Sequence, residues 1–378
     1  MALHSILCRK HLFLLVAAFY AGSAPATAAP FIYVVNGALD ANTVSVIDAA
    51  DNTVIATVPV EFGPMGIAIT PNGRYAYVTN ATGNVSVILT ATNTVVGTIA
   101  VGCFLEQVAI APDGKHAYTT DVCGRLSVID VATNAVTASI HVTSFDTVGV
   151  AISPDSKRAY VTTSTAQLFV IDTTTNTVAA GPIALGNGES FGVAISPDGG
   201  FGYATVTAPD DAVLVIDAAT NALAATVPIV GGEPLLLAVT PDGKQLYVTN
   251  YLVAGFVSVI DAVSRTVTAN IVVGSAPFGV AISPNGALTY VTNQGSDTVS
   301  VIDTTVNLVV DSIAVGHGPL GIAVTPFIFA GTPGKPNCHG ESVSALARQH
   351  GGLERAATSL GFHGVQALQS AIRTFCQS

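Results

Sequence analysis

One segment of 41 to 45 residues repeats seven times along this chain, and that repeat limits the folds open to it. Each repeat contains a turn proline, an apolar segment beginning near a tyrosine, and a second apolar segment that ends in Val-Ile-Asp, or in Val-Ile-Leu at Leu89. The tyrosines are Tyr33, Tyr77, Tyr118, Tyr160, Tyr203, Tyr247 and Tyr290. A period in the forties with several short β segments per repeat predicts the blades of a β-propeller rather than a helical solenoid.

Each repeat is interpreted as four strands, A to D. In the sixth repeat these are residues 236–240, 245–250, 257–261 and 266–273, which are rich in Val, Ile, Thr and Tyr on both faces. Asparagines are expected to cap the C–D turns with their side chains, and Arg265 replaces one of them. These asparagines are Asn52, Asn93, Asn134, Asn176, Asn221 and Asn307.

The two ends of the repeat array are incomplete in complementary ways. Phe31 leads directly into a B strand, and residues 321–325 form an A strand with no blade after it. We therefore expect the C-terminal strand to complete blade 1 and close an all-β ring of seven four-stranded antiparallel blades over residues 29–327. Closure removes the free sheet edges of an open array.

The strand sequences resemble a known family. Tyr-Val-Thr-Asn stands at 77–80, 247–250 and 290–293, and Val-Ser-Val-Ile-Asp at 44–48, 257–261 and 299–303. These segments resemble the YVTN family of β-propellers, also called surface-layer-like or YncE-like repeats, although Thr163 and Val206 replace the asparagine in repeats 4 and 5. The resemblance implies an extracytoplasmic binding or scaffold protein, in a fold whose other members include enzymes.

The first 28 residues have the pattern of a secretory signal peptide. Arg9 and Lys10 precede an apolar run at 12–20, and small residues end in Ala-Thr-Ala at 26–28. A membrane anchor is the alternative, but it needs about 20 apolar residues. Cys8 precedes the apolar run and so does not fit a lipoprotein. We expect export to the periplasm or cell exterior and no transmembrane segment.

The cysteines beyond the leader are interpreted with export in mind. Cys103 and Cys123 lie in the D–A and B–C loops of blade 3, which should be neighbours, so an oxidising compartment favours a disulfide. A metal site or a reactive thiol is the alternative, although neither loop contains histidine. Residues 328–336 form a Gly/Pro linker, and 337–378 a small helical tail. Cys338 and Cys376 bracket that tail and predict a second disulfide; a Cys/His metal site would lack any recognised spacing.

Charge separates by loop type. Removing the leader takes away Arg9 and Lys10 and no acid, leaving 24 acidic against 11 basic residues. Only Arg125 is basic on the face formed by the D–A and B–C loops, and the other propeller bases lie near A–B or C–D turns. The acids of that face are Asp40, Glu61, Glu106, Asp121, Asp146, Glu189, Asp210, Asp211, Glu233 and Asp297.

Two positions on this face form a candidate binding site. Asp146, Glu189 and Glu233 stand eight residues before the turn proline of successive repeats. Two residues later comes an apolar series that Glu106 interrupts. Its members are Met65, Val148, Phe191, Leu235, Phe278 and Leu320. The acids either keep an apolar protein soluble or, with Met65, Phe191 and Phe278, form a binding face.

The leading hypothesis is a binding or scaffold protein that attracts a cationic ligand or partner. The alternative is a propeller hydrolase or lactonase that uses loop carboxylates and a cation. His116, His141 and His317 are the only propeller histidines and lie in different blades, and no nucleophile elbow or dinucleotide motif is present. We therefore predict no cofactor, no metal and a monomer. Nucleic acid is not an expected partner because a basic groove is lacking.

Overall fold

The computed structural model describes residues 30–38, 41–326, 353 and 365–377. The predicted signal peptide, the predicted linker, Asp40 and Cys338 lie outside these residues. Within them, strands form seven four-stranded antiparallel sheets, so the predicted seven-bladed propeller is confirmed.

The strands of blades 1 to 4 are β1 (Phe31–Asn36), β2 (Thr43–Asp48), β3 (Thr53–Pro59), β4 (Pro64–Ile69), β5 (Tyr75–Asn80), β6 (Asn84–Leu89), β7 (Thr94–Ala100), β8 (Leu105–Ile110), β9 (His116–Asp121), β10 (Arg125–Asp130), β11 (Ala135–His141), β12 (Thr147–Ile152), β13 (Arg158–Thr163), β14 (Gln167–Asp172) and β15 (Thr177–Ala184). Those of blades 5 to 7 and the closing strand are β16 (Val193–Ile195), β17 (Phe201–Val206), β18 (Ala212–Asp217), β19 (Ala222–Pro228), β20 (Pro234–Val239), β21 (Gln245–Asn250), β22 (Phe256–Asp261), β23 (Thr266–Val272), β24 (Pro277–Ile282), β25 (Leu288–Asn293), β26 (Thr298–Asp303), β27 (Leu308–Ala314) and β28 (Pro319–Val324).

The last strand closes the ring as predicted. β28 pairs antiparallel with β1, with Ile32 opposite Val324 and Val34 opposite Ile322, so blade 1 has the strand order β28-β1-β2-β3. The pairing joins the first and last strands of the array. Both edges that an open array would expose are therefore paired.

The hydrophobic core lies between the blades. One cluster joins Tyr77 and Val87 of blade 2 to Val108 and Ile129 of blade 3, and equivalent clusters recur around the ring. The D strands lie at the outer edge of each blade and are less buried than their apolar sequences suggest. Apolar side chains there, such as Val96 (53% exposed), face solvent. Packing between blades therefore involves mainly strands A to C.

The repeated tyrosine and aspartate have structural roles. The Tyr33 hydroxyl donates to Asn93 Oδ1 in the next blade at 2.6 Å, and Tyr77 donates to Asn134 in the same way. The asparagines have left-handed φ angles near 55°, which asparagine tolerates. The predicted capping role belongs instead to the aspartate that ends strand C, as Asp130 shows by accepting bonds from Thr133. Those bonds lower the pKa of Asp130.

The C-terminal tail is described only in part. The helix α1 (Val365–Gln377) lies within the predicted helical tail, and its Leu368 and Ile372 are buried. Cys376 lies in this helix. Its predicted disulfide to Cys338 stays a prediction, because Cys338 lies outside the described residues.

Candidate functional site

The D–A and B–C loops form one face of the ring, here called the top face, and a bulge near this face positions the inner side chains. In blade 2 the bulge lies between Pro64 and Ile67, and it leaves the Gly66 N–H without a strand partner. Thr79, the threonine of the Tyr-Val-Thr-Asn motif, accepts that N–H at 2.8 Å. Its hydroxyl donates to the Glu106 carbonyl of blade 3, also at 2.8 Å.

This threonine link joins most neighbouring blades. The donors to the next blade's carbonyl are Thr79, Thr120, Thr162, Thr205, Thr249 and Thr292. Blade 1 has Val35 at this position. Each linked carbonyl belongs to the series of Glu106 and the apolar residues, so the link fixes that series at the mouth of the central channel. Sequence reasoning missed this role, although the recurring threonine was visible.

The channel below the mouth is narrow, and Gln107 is the one polar side chain among the described residues that line it. This cavity of about 130 Å³ is formed by the inner strands, whose other lining residues are glycine, valine, isoleucine, leucine and phenylalanine. The glycines allow adjacent A strands to approach closely, since a Cβ added at Gly321 would lie 2.6 Å from the Met65 carbonyl oxygen. At the mouth, Val148, Leu235 and Leu320 are buried. The half-buried members are Met65, Glu106, Phe191 and Phe278.

The structure brings two of the predicted acids together. Glu106 is half-buried, and its pKa rises to about 7, first because this burial disfavours the charged form and second because Asp146 repels it. Near neutral pH, Glu106 therefore exchanges a proton beside an exposed carboxylate.

Asp146, Glu189 and Glu233 occupy equivalent places in blades 4, 5 and 6. The backbone carbonyl of each accepts an N–H from the residue after strand B, at 3.1, 2.9 and 2.8 Å respectively. Asp146 and Glu189 are exposed and Glu233 is half-buried. The three carboxyl groups thus form an arc along the top face rather than a single cluster.

Two other acids of the predicted face serve loop structure. Asp121 is buried and accepts the N–H groups of Cys123 and Arg125, and burial raises its pKa. Asp297 accepts the Gly318 N–H at 2.8 Å. The sequence showed their loop position but not these backbone bonds, so it overstated the number of carboxylates available to a ligand.

Exposed aromatic side chains lie beside the acids, and the sequence motifs did not predict them. Phe62, Phe104 and Phe145 lie in the D–A loops before blades 2, 3 and 4 and are 48%, 39% and 51% exposed. Val122, in the B–C loop of blade 3, is also exposed, and its N–H donates to the Phe104 carbonyl. We call the three phenylalanines, together with the neighbouring Val122, the aromatic arc. The three phenylalanines stand eight or nine residues before the turn prolines, so an alignment of the repeats on those prolines would have revealed them.

A disulfide holds the centre of the aromatic arc. Cys103 and Cys123 are bonded, as predicted, with their Cα atoms 6.1 Å apart. The bond connects the loop that carries Phe104 to the loop that carries Val122, which limits the movement of both.

The opposite face, formed by the A–B and C–D turns, has mixed charge. Arg74, Lys115, Lys157, Arg158, Lys244 and Arg265 lie there. So do the aspartates that cap C–D turns and those of the Pro-Asp-Gly turns. The top face is therefore distinguished by its lack of bases rather than by an excess of acids over the other face.

In the described part of the chain, no group of three or more His, Cys, Asp or Glu residues could hold a metal ion. The one helix described there is too short and too polar for a membrane span.

The fold places the protein in the class of seven-bladed β-propellers, and solved structures of that shape are similar to it. Hydrazine synthase of Kuenenia stuttgartiensis matches with 25% identity and a TM-score of 0.64, over 70% of this chain and 90% of that one. A functionally unknown protein from Desulfotomaculum acetoxidans matches with 19% identity and a TM-score of 0.67, over 78% and 98%. The dihydro-heme d1 dehydrogenase NirN matches with 18% identity and a TM-score of 0.58, over 75% and 63%.

Sequence comparisons are negative. No family model matches the chain, and neither does any curated protein.

Proposed function

We propose that the chain is an exported binding or scaffold protein of the YVTN type, whose top face binds a partner with positive charge and apolar groups. The Tyr-Val-Thr-Asn repeats support the family. The leader sequence supports export, and the Cys103–Cys123 disulfide is compatible with an oxidising compartment.

This proposal rests on one observation: the aromatic arc lies beside the arc formed by the carboxyl groups of Asp146, Glu189 and Glu233. Large exposed apolar side chains in adjacent loops commonly mark interaction sites. Phe104 and Asp146 stand at equivalent positions of neighbouring blades, so one partner segment can contact both kinds of side chain. The acids would speed the encounter with a cationic partner, and the aromatic residues would slow its departure.

The test begins with a partner captured on the mature protein and continues with measured rates. Asp146→Asn, Glu189→Gln and Glu233→Gln together should lower the association rate at low salt about tenfold, with little effect at high salt. Phe104→Ala with Phe145→Ala should instead raise the dissociation rate.

A matched control is available on the opposite face. Repeats 2 and 7 already have Asn72 and Asn285 directly after the turn proline, where repeats 3 to 6 have aspartate. Changing Asp113, Asp155 and Asp198 to asparagine therefore removes three charges at positions where the fold accepts the new residue. Equal loss of association rate in this control and in the top-face variant would contradict the proposal.

A hydrolase or lactonase activity is the second candidate, and the pair of Glu106 and Asp146 favours it. Burial and the nearby Asp146 raise the pKa of Glu106 to about 7, so this carboxyl group can act as a general acid or base near neutral pH. Hydrazine synthase and the dihydro-heme d1 dehydrogenase are enzymes by name, but the likeness concerns the fold. Turnover of a lactone or ester that is lost in Glu106→Gln and kept in Glu233→Gln would support this candidate.

A further inference from the structure

A pocket between blades 5 and 6 arises where the repeat departs from its pattern. Arg265 stands in the left-handed position of the C–D turn, with φ 57°, where the other repeats have asparagine. In the pairs Tyr33–Asn93, Tyr77–Asn134 and Tyr247–Asn307, that asparagine accepts the tyrosine hydroxyl of the preceding blade. Arg265 has no acceptor to offer.

Tyr203 is the tyrosine that faces Arg265. The tyrosine–asparagine bond is not universal, since Asn52, Asn176 and Asn221 accept no bond through their side-chain oxygens. Tyr203 is 3% exposed overall, but its hydroxyl donates to no group of the described residues and is not fully buried. Tyr203 lines the pocket, so a bound molecule could supply an acceptor for this hydroxyl.

The pocket combines two kinds of donor with apolar walls. It encloses about 700 Å³, and Phe201, Pro197, Pro241 and Val263 supply much of its apolar lining. The Arg265 guanidinium lies 5.3 Å from the centre of the Phe201 ring, and one N–H donates to the Ala224 carbonyl. Its remaining N–H groups have no acceptor within the described residues.

The charges around the pocket restrict the ligand. Burial raises the pKa of Tyr203, so its hydroxyl remains a donor near neutral pH. Guanidinium and phenol donors together suit a carboxylate, whose two oxygens can accept both. Asp198 and Asp242 also line the pocket, and each accepts bonds within its own turn. Their negative charge disfavours a dianion such as phosphate.

We propose that this pocket binds a small organic monocarboxylate with a flat apolar body, with the carboxylate on Arg265 and Tyr203 and the body against Phe201. The site lies on the face opposite the aromatic arc, so it does not depend on the function proposed for the top face.

Benzoate is the probe, titrated into the mature protein by calorimetry and by ligand-observed NMR. A molecule of its size should bind in the millimolar range, about 0.3–10 mM. Arg265→Asn should raise the dissociation constant about tenfold or more, and Tyr203→Phe about threefold to tenfold. Arg265→Asn introduces the residue of the other repeats, so the variant should fold and offer Tyr203 its missing acceptor.

Two comparisons keep the test specific. Arg74 also lies 5.3 Å from an aromatic centre, that of Tyr75, and Arg74→Asn should leave benzoate binding unchanged. Benzylamine and inorganic phosphate should bind more weakly than benzoate. The proposal is overturned if no binding of benzoate is detected up to about 100 mM, well above the expected range. Equal affinity in wild type and Arg265→Asn, or tighter binding of benzylamine than of benzoate, would also refute it.

Discussion

The threonine link predicts that a single hydroxyl in blade 7 contributes measurably to ring closure. Thr292 is fully buried, accepts the Gly279 N–H at 2.7 Å and donates to the Leu320 carbonyl of the closing strand at 2.7 Å. Thr292→Val preserves the shape of the side chain and removes both bonds. Each hydrogen bond contributes about 1 kcal/mol net of its exchange with water. The Gly279 N–H and the Leu320 carbonyl would also stay buried without a partner, so the free energy of unfolding should fall by about 2–3 kcal/mol.

Urea unfolding followed by far-UV circular dichroism measures this change, since the chain has no tryptophan to report fluorescence. Thr57→Val is the matched control, because Thr57 is exposed in strand D and should change stability by no more than about 0.5 kcal/mol. The reverse change, Val35→Thr, adds the missing hydroxyl of blade 1 and should stabilise by about 1 kcal/mol. If Thr292→Val is no more destabilising than Thr57→Val, the bridging role assigned to the motif threonine is wrong.

Three further predictions address closure, titration and the tail. A chain ending at residue 318 lacks β28 and should melt well below one ending at 330; equal melting temperatures would contradict ring closure. The pKa of Glu106 rises on folding from 4.5 to about 7, so wild-type stability should fall as pH rises between those values. Glu106→Gln should remove that fall, and an unchanged pH profile would argue against the raised pKa. Peptide mapping of the exported, non-reduced protein should find Cys338 bonded to Cys376, and free thiols would refute this pair.

The blade count, the ring closure and the Cys103–Cys123 bond were predictable because they depend on local signals at a fixed period. Turn prolines and apolar strand residues set each blade, and loop order alone placed the two cysteines on one face. One longer-range pattern was also visible in the repeats. Asn250 donates to Ser258 at 3.0 Å, and repeat 5, which has Val206 for the asparagine, has Leu214 for the serine. In repeat 5 both partners are therefore apolar.

The candidate site was predictable only in part, because contacts between blades are not encoded at a fixed spacing. Position in the repeat put Glu106 and Asp146 on the same face of the ring, as the structure has them. It could not show that the Asp121 carboxylate accepts two backbone N–H groups, because those hydrogen bonds depend on the conformation of one loop. It also missed the aromatic arc, since exposure of Phe104 and Phe145 follows from loop geometry rather than from residue type.

Departures from the repeat say more about function than the repeat itself. A residue present in nearly every blade, such as Thr292 or Asp303, makes the same structural bond wherever it occurs. Glu106 instead places an ionisable group in an apolar series, and Arg265 removes an acceptor that other blades provide. Burial disfavours the charged form of Glu106, and the Tyr203 hydroxyl beside Arg265 has no acceptor within the described residues, so neither change adds to the bonds that hold the blades together. The two departures lie on opposite faces and in different blades, so a variant at one should leave binding at the other unchanged, and each proposed site can be tested alone.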